Sequence, residues 1–116
     1  MLKSFKYAIW GIGVCLKERN FKIHLIAAFL VIIAGFYFKI NLIDWTILII
    51  CIGMVLSLEM INTAVERWVD YISPEKNQLA GQIKDITAGA TLIAAIAAAI
   101  CGCIVFYKYI IVLFNS

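Results

Sequence analysis

Residues 45–70 read WTILIICIGMVLSLEMINTAVERWVD, and the fold turns on this stretch. It opens with fourteen residues that carry no charge, Trp45 to Leu58, and closes on three carboxylates, Glu59, Glu66 and Asp70, inside twelve residues. Trp45 suits a membrane–water interface. At a rise of 1.5 Å per residue, Glu59 comes about 21 Å along a helix begun there. That is within a hydrocarbon core about 30 Å thick, towards its far face. With Glu59 at zero on a helical wheel, Asn62 falls at about 300°, Thr63 at about 40°, Glu66 at about 340° and Asp70 at about 20°. Met60, Ile61, Ala64 and Val65 cover most of the remaining surface. The stretch predicts a transmembrane helix over 45–66 with a polar stripe down one side.

The rest of the chain agrees with a membrane protein. Of its 116 residues, 65% are hydrophobic and 15% charged, against roughly 45–50% and 25% in soluble domains. A soluble domain of this length cannot bury so much apolar surface, and disorder requires low hydrophobicity. Ile23 to Phe38 is an apolar run of 16 residues, which becomes a span over 23–43 if Lys39 snorkels. Ile86 to Tyr107 holds 22 residues without a charge, giving a third span over 86–108. Its Ala90, Ala94, Ala98 and Gly102 form a small-residue stripe suited to close helix packing. Residues 1–21 place Leu2, Phe5, Ile9, Ile12 and Leu16 at helical spacing, with Lys3, Lys6 and Lys17 elsewhere, as in an amphipathic helix lying in the interface. Lys17-Glu18-Arg19 stands where a signal peptide would need small residues for cleavage. A polar link over 71–84 holds Pro74 and Gly81. The expectation is one all-α integral membrane domain over 1–116.

Lysines and arginines set the orientation. Lys3, Lys6, Lys17, Arg19 and Lys22 precede the first span, and Arg67, Lys76 and Lys84 flank the link. Only Lys39 and Lys108 fall on the other side. The N-terminus and the link are therefore expected in the cytoplasm, where ATP is found. The net charge of +3 gives no argument for nucleic acid. Cys15, Cys51, Cys101 and Cys103 lack metal-site spacing and read as small hydrophobes.

Carboxylates in hydrocarbon cost about 2.5–3.5 kcal/mol each at a helix centre on insertion scales, so the stripe needs compensation. Magnesium suits hard oxygen ligands shared with phosphate, and a leftover desolvated carboxylate suits a general base. Against this stands helix–helix glue, with Asn62 and the acids pairing with Arg67, Lys84 or a neighbouring subunit. A small oligomeric channel or proton relay lined by Glu59, Asn62 and Glu66 is the other functional reading. Lys84-Asp85, at the expected start of the third span, reads either as an anion site or as a snorkelling lysine beside a helix cap. Glu18-Arg19-Asn20 reads as a charged turn level with Glu66, and His24 as a hydrogen-bonded interfacial histidine. No glycine-rich phosphate loop and no catalytic Ser–His–Asp arrangement is present.

Taken together, Glu59-Met60-Ile61-Asn62-Thr63-Ala64-Val65-Glu66 followed by Val69-Asp70, Lys84-Asp85 with Ala88-Gly89-Ala90, and Glu18-Arg19-Asn20-Phe21-Lys22-Ile23-His24 resemble the prokaryotic diacylglycerol kinase family, which includes undecaprenol kinases. The resemblance runs from about Phe5 into the third span. It implies a homotrimer in the bacterial cytoplasmic (inner) membrane, each subunit with three transmembrane helices and an interfacial N-terminal helix. It implies transfer of the ATP γ-phosphate to a lipid alcohol, undecaprenol or diacylglycerol. Glu59 would be the base and Asn62 would orient the site. Glu18 and Glu66 would hold Mg2+ and through it the nucleotide. Asp70, Glu75, Lys76, Asn77, Lys84, Asp85 and Tyr7 would contact ATP. Asn77 stands where many relatives carry histidine. The stretch around His24 looks more like the undecaprenol branch.

Overall fold

The structure, a computed structural model, describes residues 1–115. It is all-helical: α1 over Leu2–Cys15, α2 over Arg19–Phe38, α3 over Leu42–Ile72 and α4 over Gln78–Asn115. The helices α2, α3 and α4 are each long and apolar enough to cross a membrane. At 1.5 Å per residue, the 31 residues of α3 reach about 46 Å. That exceeds a hydrocarbon core of about 30 Å, and the helix runs past Glu59 without a break.

α3 and α4 form the main hairpin, and α2 packs on α3. The body measures 60 × 38 × 20 Å, no more than two helix diameters deep. So thin a slab buries little. Ile40, Leu48 and Val105 form its core, with Val31, Phe38, Trp45, Phe106 and Tyr109 packed around them. Phe29, Ile49 and Ile93 remain exposed, as suits surfaces that meet lipid tails or other helices.

The helix ends differ from those read in the sequence. The N-terminal helix stops at Cys15 rather than near 21, because Glu18 is extended (φ −80°, ψ 134°) and separates α1 from α2. In α1 only Cys15 is buried. α2 stops at Phe38 instead of continuing to 43. Lys39 takes the left-handed conformation (φ 52°, ψ 53°), and the Lys39 and Ile40 N–H groups donate to Phe36 O and Gly35 O at 3.3 and 3.2 Å. That double bond pattern closes a helix end and turns Ile40 into the core.

Trp45, expected as an interfacial anchor, lies against α2, where its ring is 4.9 Å from that of Phe36. Gly35 makes this approach possible: a Cβ there would stand 2.6 Å from Trp45 Cη2.

The link of 71–84 shrinks to the residues between Ile72 and Gln78. Asn77 caps α4: its Oδ1 accepts from the Ala80 N–H at 2.8 Å, and its Nδ2 donates to Ser73 Oγ at 2.7 Å. An asparagine N-cap starts a helix efficiently. Residues 78–84 thus become the first turns of α4, Gly81 among them.

At the opposite end, Asp44 is a buried carboxylate. Asn41 caps α3 by accepting from the Asp44 N–H at 2.9 Å. Tyr109 Oη donates to Asp44 Oδ2 at 2.7 Å and accepts from the Asn41 N–H at 3.1 Å. Lys108 Nζ lies 2.8 Å from the same Asp44 oxygen. This knot ties the α2–α3 turn to the far end of α4.

Candidate functional site

The polar stripe of α3 survives as a structural feature. Glu59, Asn62 and Thr63 are buried and Glu66 is half-buried. Thr63 is satisfied within its own helix, its hydroxyl donating to Glu59 O at 3.0 Å. Asn62 Nδ2 donates to Glu66 Oε1 over a long 3.4 Å. Asn62 Oδ1 is sealed from solvent with no partner. Such an orphan carries a desolvation cost of about 1–3 kcal/mol, so it marks a place where another group belongs.

Glu59 has one polar contact through its carboxylate among the described residues. His24 Nε2 of α2 stands 3.2 Å from Glu59 Oε1. The two side chains differ in access, 27% exposed for His24 and 7% for Glu59. The pair sits beside an apolar cleft of about 230 Å3 between α2, α3 and α4. His24 is at its polar end, and Ala28, Val55, Leu56, Ala98 and Gly102 are among its walls. Of the small-residue stripe read on the third span, Ala98 and Gly102 line this cleft and Ala90 and Ala94 do not. The sequence placed Glu59 correctly on the stripe, but the His24 contact depends on the vertical alignment of two helices.

Glu18 reaches α3 from the break between α1 and α2. Its side chain does not cap α2. Instead Oε1 accepts from Arg67 Nη2 at 2.8 Å. Both side chains are well exposed, 40% and 58%. An ion pair of that kind contributes about 0–1 kcal/mol, so an incoming ligand can displace it. Among the described residues no cluster of three or more His, Cys, Asp and Glu side chains could hold a metal. A dedicated all-protein cage is therefore absent. Glu18 pairs with Arg67 and Glu66 with Asn62, and among the described residues no contact joins the two carboxylates.

Asp70 on α3 and Lys84 on α4 form an ion pair, joining the two helices near the link. Lys84 is not at a helix start, as the sequence reading had it, because Asn77 begins α4 seven residues earlier. The unbonded N–H groups lie at that earlier turn. Asp85 does not cap the helix and is exposed. Lys76 is exposed in the link, and Glu75 offers its carbonyl to Ser73 Oγ at 3.2 Å. Both ends of the Asn77 amide serve the helix cap. Tyr7 stays on α1, 62% exposed, with its ring 5.5 Å from Trp10. The structure therefore gathers Glu59, Asn62, Glu66 and His24, and pairs Glu18 with Arg67 and Asp70 with Lys84. It does not bring Tyr7 into contact with them.

Residues 6–106 match the sequence pattern of the family described as prokaryotic diacylglycerol kinase. The chain is 41% identical over 105 residues to the undecaprenol kinase of Bacillus subtilis, covering 90% of this chain and 85% of that one. It is 38% identical over 104 residues to a diacylglycerol kinase of Synechocystis, covering 88% of this chain and 59% of the relative. The diacylglycerol kinase of Escherichia coli K12 is 29% identical over 110 residues, 94% of this chain and 90% of that one. With three membrane-capable helices and a family match over most of its length, the chain belongs to the prokaryotic diacylglycerol kinase family.

Proposed function

We propose that this membrane lipid kinase transfers the γ-phosphate of ATP to a lipid hydroxyl at the cytoplasmic face of a bacterial membrane, with Glu59 as general base. One observation carries the reading. Glu59 is buried and contacted through its carboxylate by His24, and that histidine lines an apolar cleft between the helices. A lipid whose tail enters that cleft presents its hydroxyl to the carboxylate without leaving the bilayer. Undecaprenol is the favoured alcohol, supported by the Glu18–His24 stretch and by the likeness to the Bacillus subtilis chain.

Phosphoryl transfer asks a protein chiefly for positioning and charge compensation. Glu59 takes the hydroxyl proton while the lipid oxygen forms its bond to the γ-phosphorus and the bond to the ADP oxygen breaks. Asn62, with its unpartnered Oδ1, orients the reacting groups. Glu18 and Glu66 would hold Mg2+, which when bound offsets the charge of the phosphate oxygens. Lys84, steered by Asp70, supplies positive charge to the phosphates, and Arg67 becomes available to them once it releases Glu18. Glu75, Lys76 and Asp85 border the nucleotide. The exposed apolar faces of the thin slab support assembly as a homotrimer, with α1 along the interface and the N-terminus in the cytoplasm. Nothing in the comparisons supports the channel lined by Glu59, Asn62 and Glu66.

The test is transfer of labelled phosphate from ATP in proteoliposomes with Mg2+, offering undecaprenol and diacylglycerol in the same bilayer. Undecaprenol should be the better acceptor, and Glu59→Gln should reduce transfer by about 10²–10⁴-fold, the usual worth of a positioned base. Near-full activity in that variant would overturn the assignment.

A further inference from the structure

We propose that His24 is a positioning residue for the reaction: it holds one oxygen of Glu59 so that the other faces the lipid hydroxyl. The inference rests on the reading of Glu59 as the base. Three observations lead to it. His24 Nε2 lies 3.2 Å from Glu59 Oε1. No hydrogen bond engages Glu59 Oε2 among the described residues, and that atom is not among the buried atoms without a partner. Oε2 therefore keeps its capacity to accept a further hydrogen bond. His24 also lines the apolar cleft at its polar end, so one imidazole touches both the base and the space in which a lipid tail fits.

The physical need is plain. A glutamate side chain has three rotatable bonds, and a buried one with no partner can turn towards whichever polar group is nearest. Asn62 and Glu66 stand on the same helix face, one and two turns on. Fixing Oε1 to an N–H from a different helix selects one rotamer and orders the carboxylate before substrate arrives. A neutral Nε2–H suffices for this, so the role requires a donor and not a positive charge. It also explains why α2 must be aligned with α3 at this level, which the α2–α3 packing enforces.

The experiment compares His24→Gln with His24→Leu in the proteoliposome assay, beside Glu59→Gln. The amide nitrogen of glutamine can take the place of imidazole Nε2, whereas leucine matches the bulk and removes the donor. His24→Leu should lower kcat for the lipid by about 10- to 100-fold, the range for losing a contact to a charged group, with the KM for ATP unchanged. His24→Gln should remain within about threefold of the parent protein, given the same donor-contact range. Thermal stability and oligomer size of each purified variant show that the fold persists. Loss of activity in both His24 variants alike, or in neither, would sink the positioning role while Glu59→Gln remains inactive. An active Glu59→Gln would instead remove the base on which the inference stands.

Discussion

Tyr109→Phe is the sharpest probe of the fold, because one hydroxyl serves both sides of the Asp44 knot. Its removal deletes the 2.7 Å bond to Asp44 Oδ2 and the 3.1 Å bond from the Asn41 N–H. The first goes to a charged acceptor that is 4% exposed, a contact worth about 1.5–3 kcal/mol. The second involves an exposed backbone group that water can satisfy, so it adds little. Lys108 stays on Asp44 and limits the damage. The expected loss is about 2 kcal/mol, near a 30-fold shift in the folded ratio at 1.36 kcal/mol per decade. Equilibrium unfolding in mixed micelles measures it, and a double-mutant cycle with Asp44→Asn isolates the coupling. Glu59, the proposed base, lies about 22 Å away along α3, fifteen residues at the helical rise, so kcat per folded protein should not change. A loss below about 0.5 kcal/mol, the size of an ordinary surface change, or zero coupling in the cycle, would refute the argument.

Three other changes follow from local geometry. Gly35→Ala puts a Cβ at 2.6–3.1 Å from three atoms of the Trp45 ring. Overpacking costs about 1–3 kcal/mol and the helix gains about 1 from alanine, so unfolding should show a net loss of about 1 kcal/mol. Lys39→Gly relieves a left-handed residue, conformational strain of about 1–2 kcal/mol, and should raise the melting temperature without altering lipid phosphorylation. Asn77→Ala should cost about 1 kcal/mol as a lost cap. Its KM for ATP should hold steady in a steady-state titration, since both ends of that amide serve the link.

The polar stripe was legible in the sequence because it obeys one helix's own period. Glu59, Asn62 and Glu66 needed only 100° per residue to be placed together. The spans were legible for the same reason, from runs of apolar residues. Contacts between helices were not. His24 meets Glu59, and Tyr109 meets Asp44 across 65 positions, only if two rods stand at one particular height, and a slip of one residue moves a side chain by 1.5 Å and 100°. The helix ends escaped for a different reason. They depend on single backbone choices, Glu18 extended, Lys39 left-handed and Asn77 as a cap, that composition does not reveal. Pro74 and Gly81 pointed to a loop, yet Gly81 lies inside α4.

The unbroken run of α3 past Glu59 has a consequence for substrate choice. Eleven residues separate Glu59 from Asp70, about 16 Å on a stiff rod, and no hinge lies between them. In the proposed reaction this rod acts as a depth gauge. The carboxylate waits at a set distance below the charged layer, so an acceptor must be able to sink its hydroxyl to that level. Selection among alcohols then becomes a matter of where each lipid floats in the leaflet, as much as of the shape of its head.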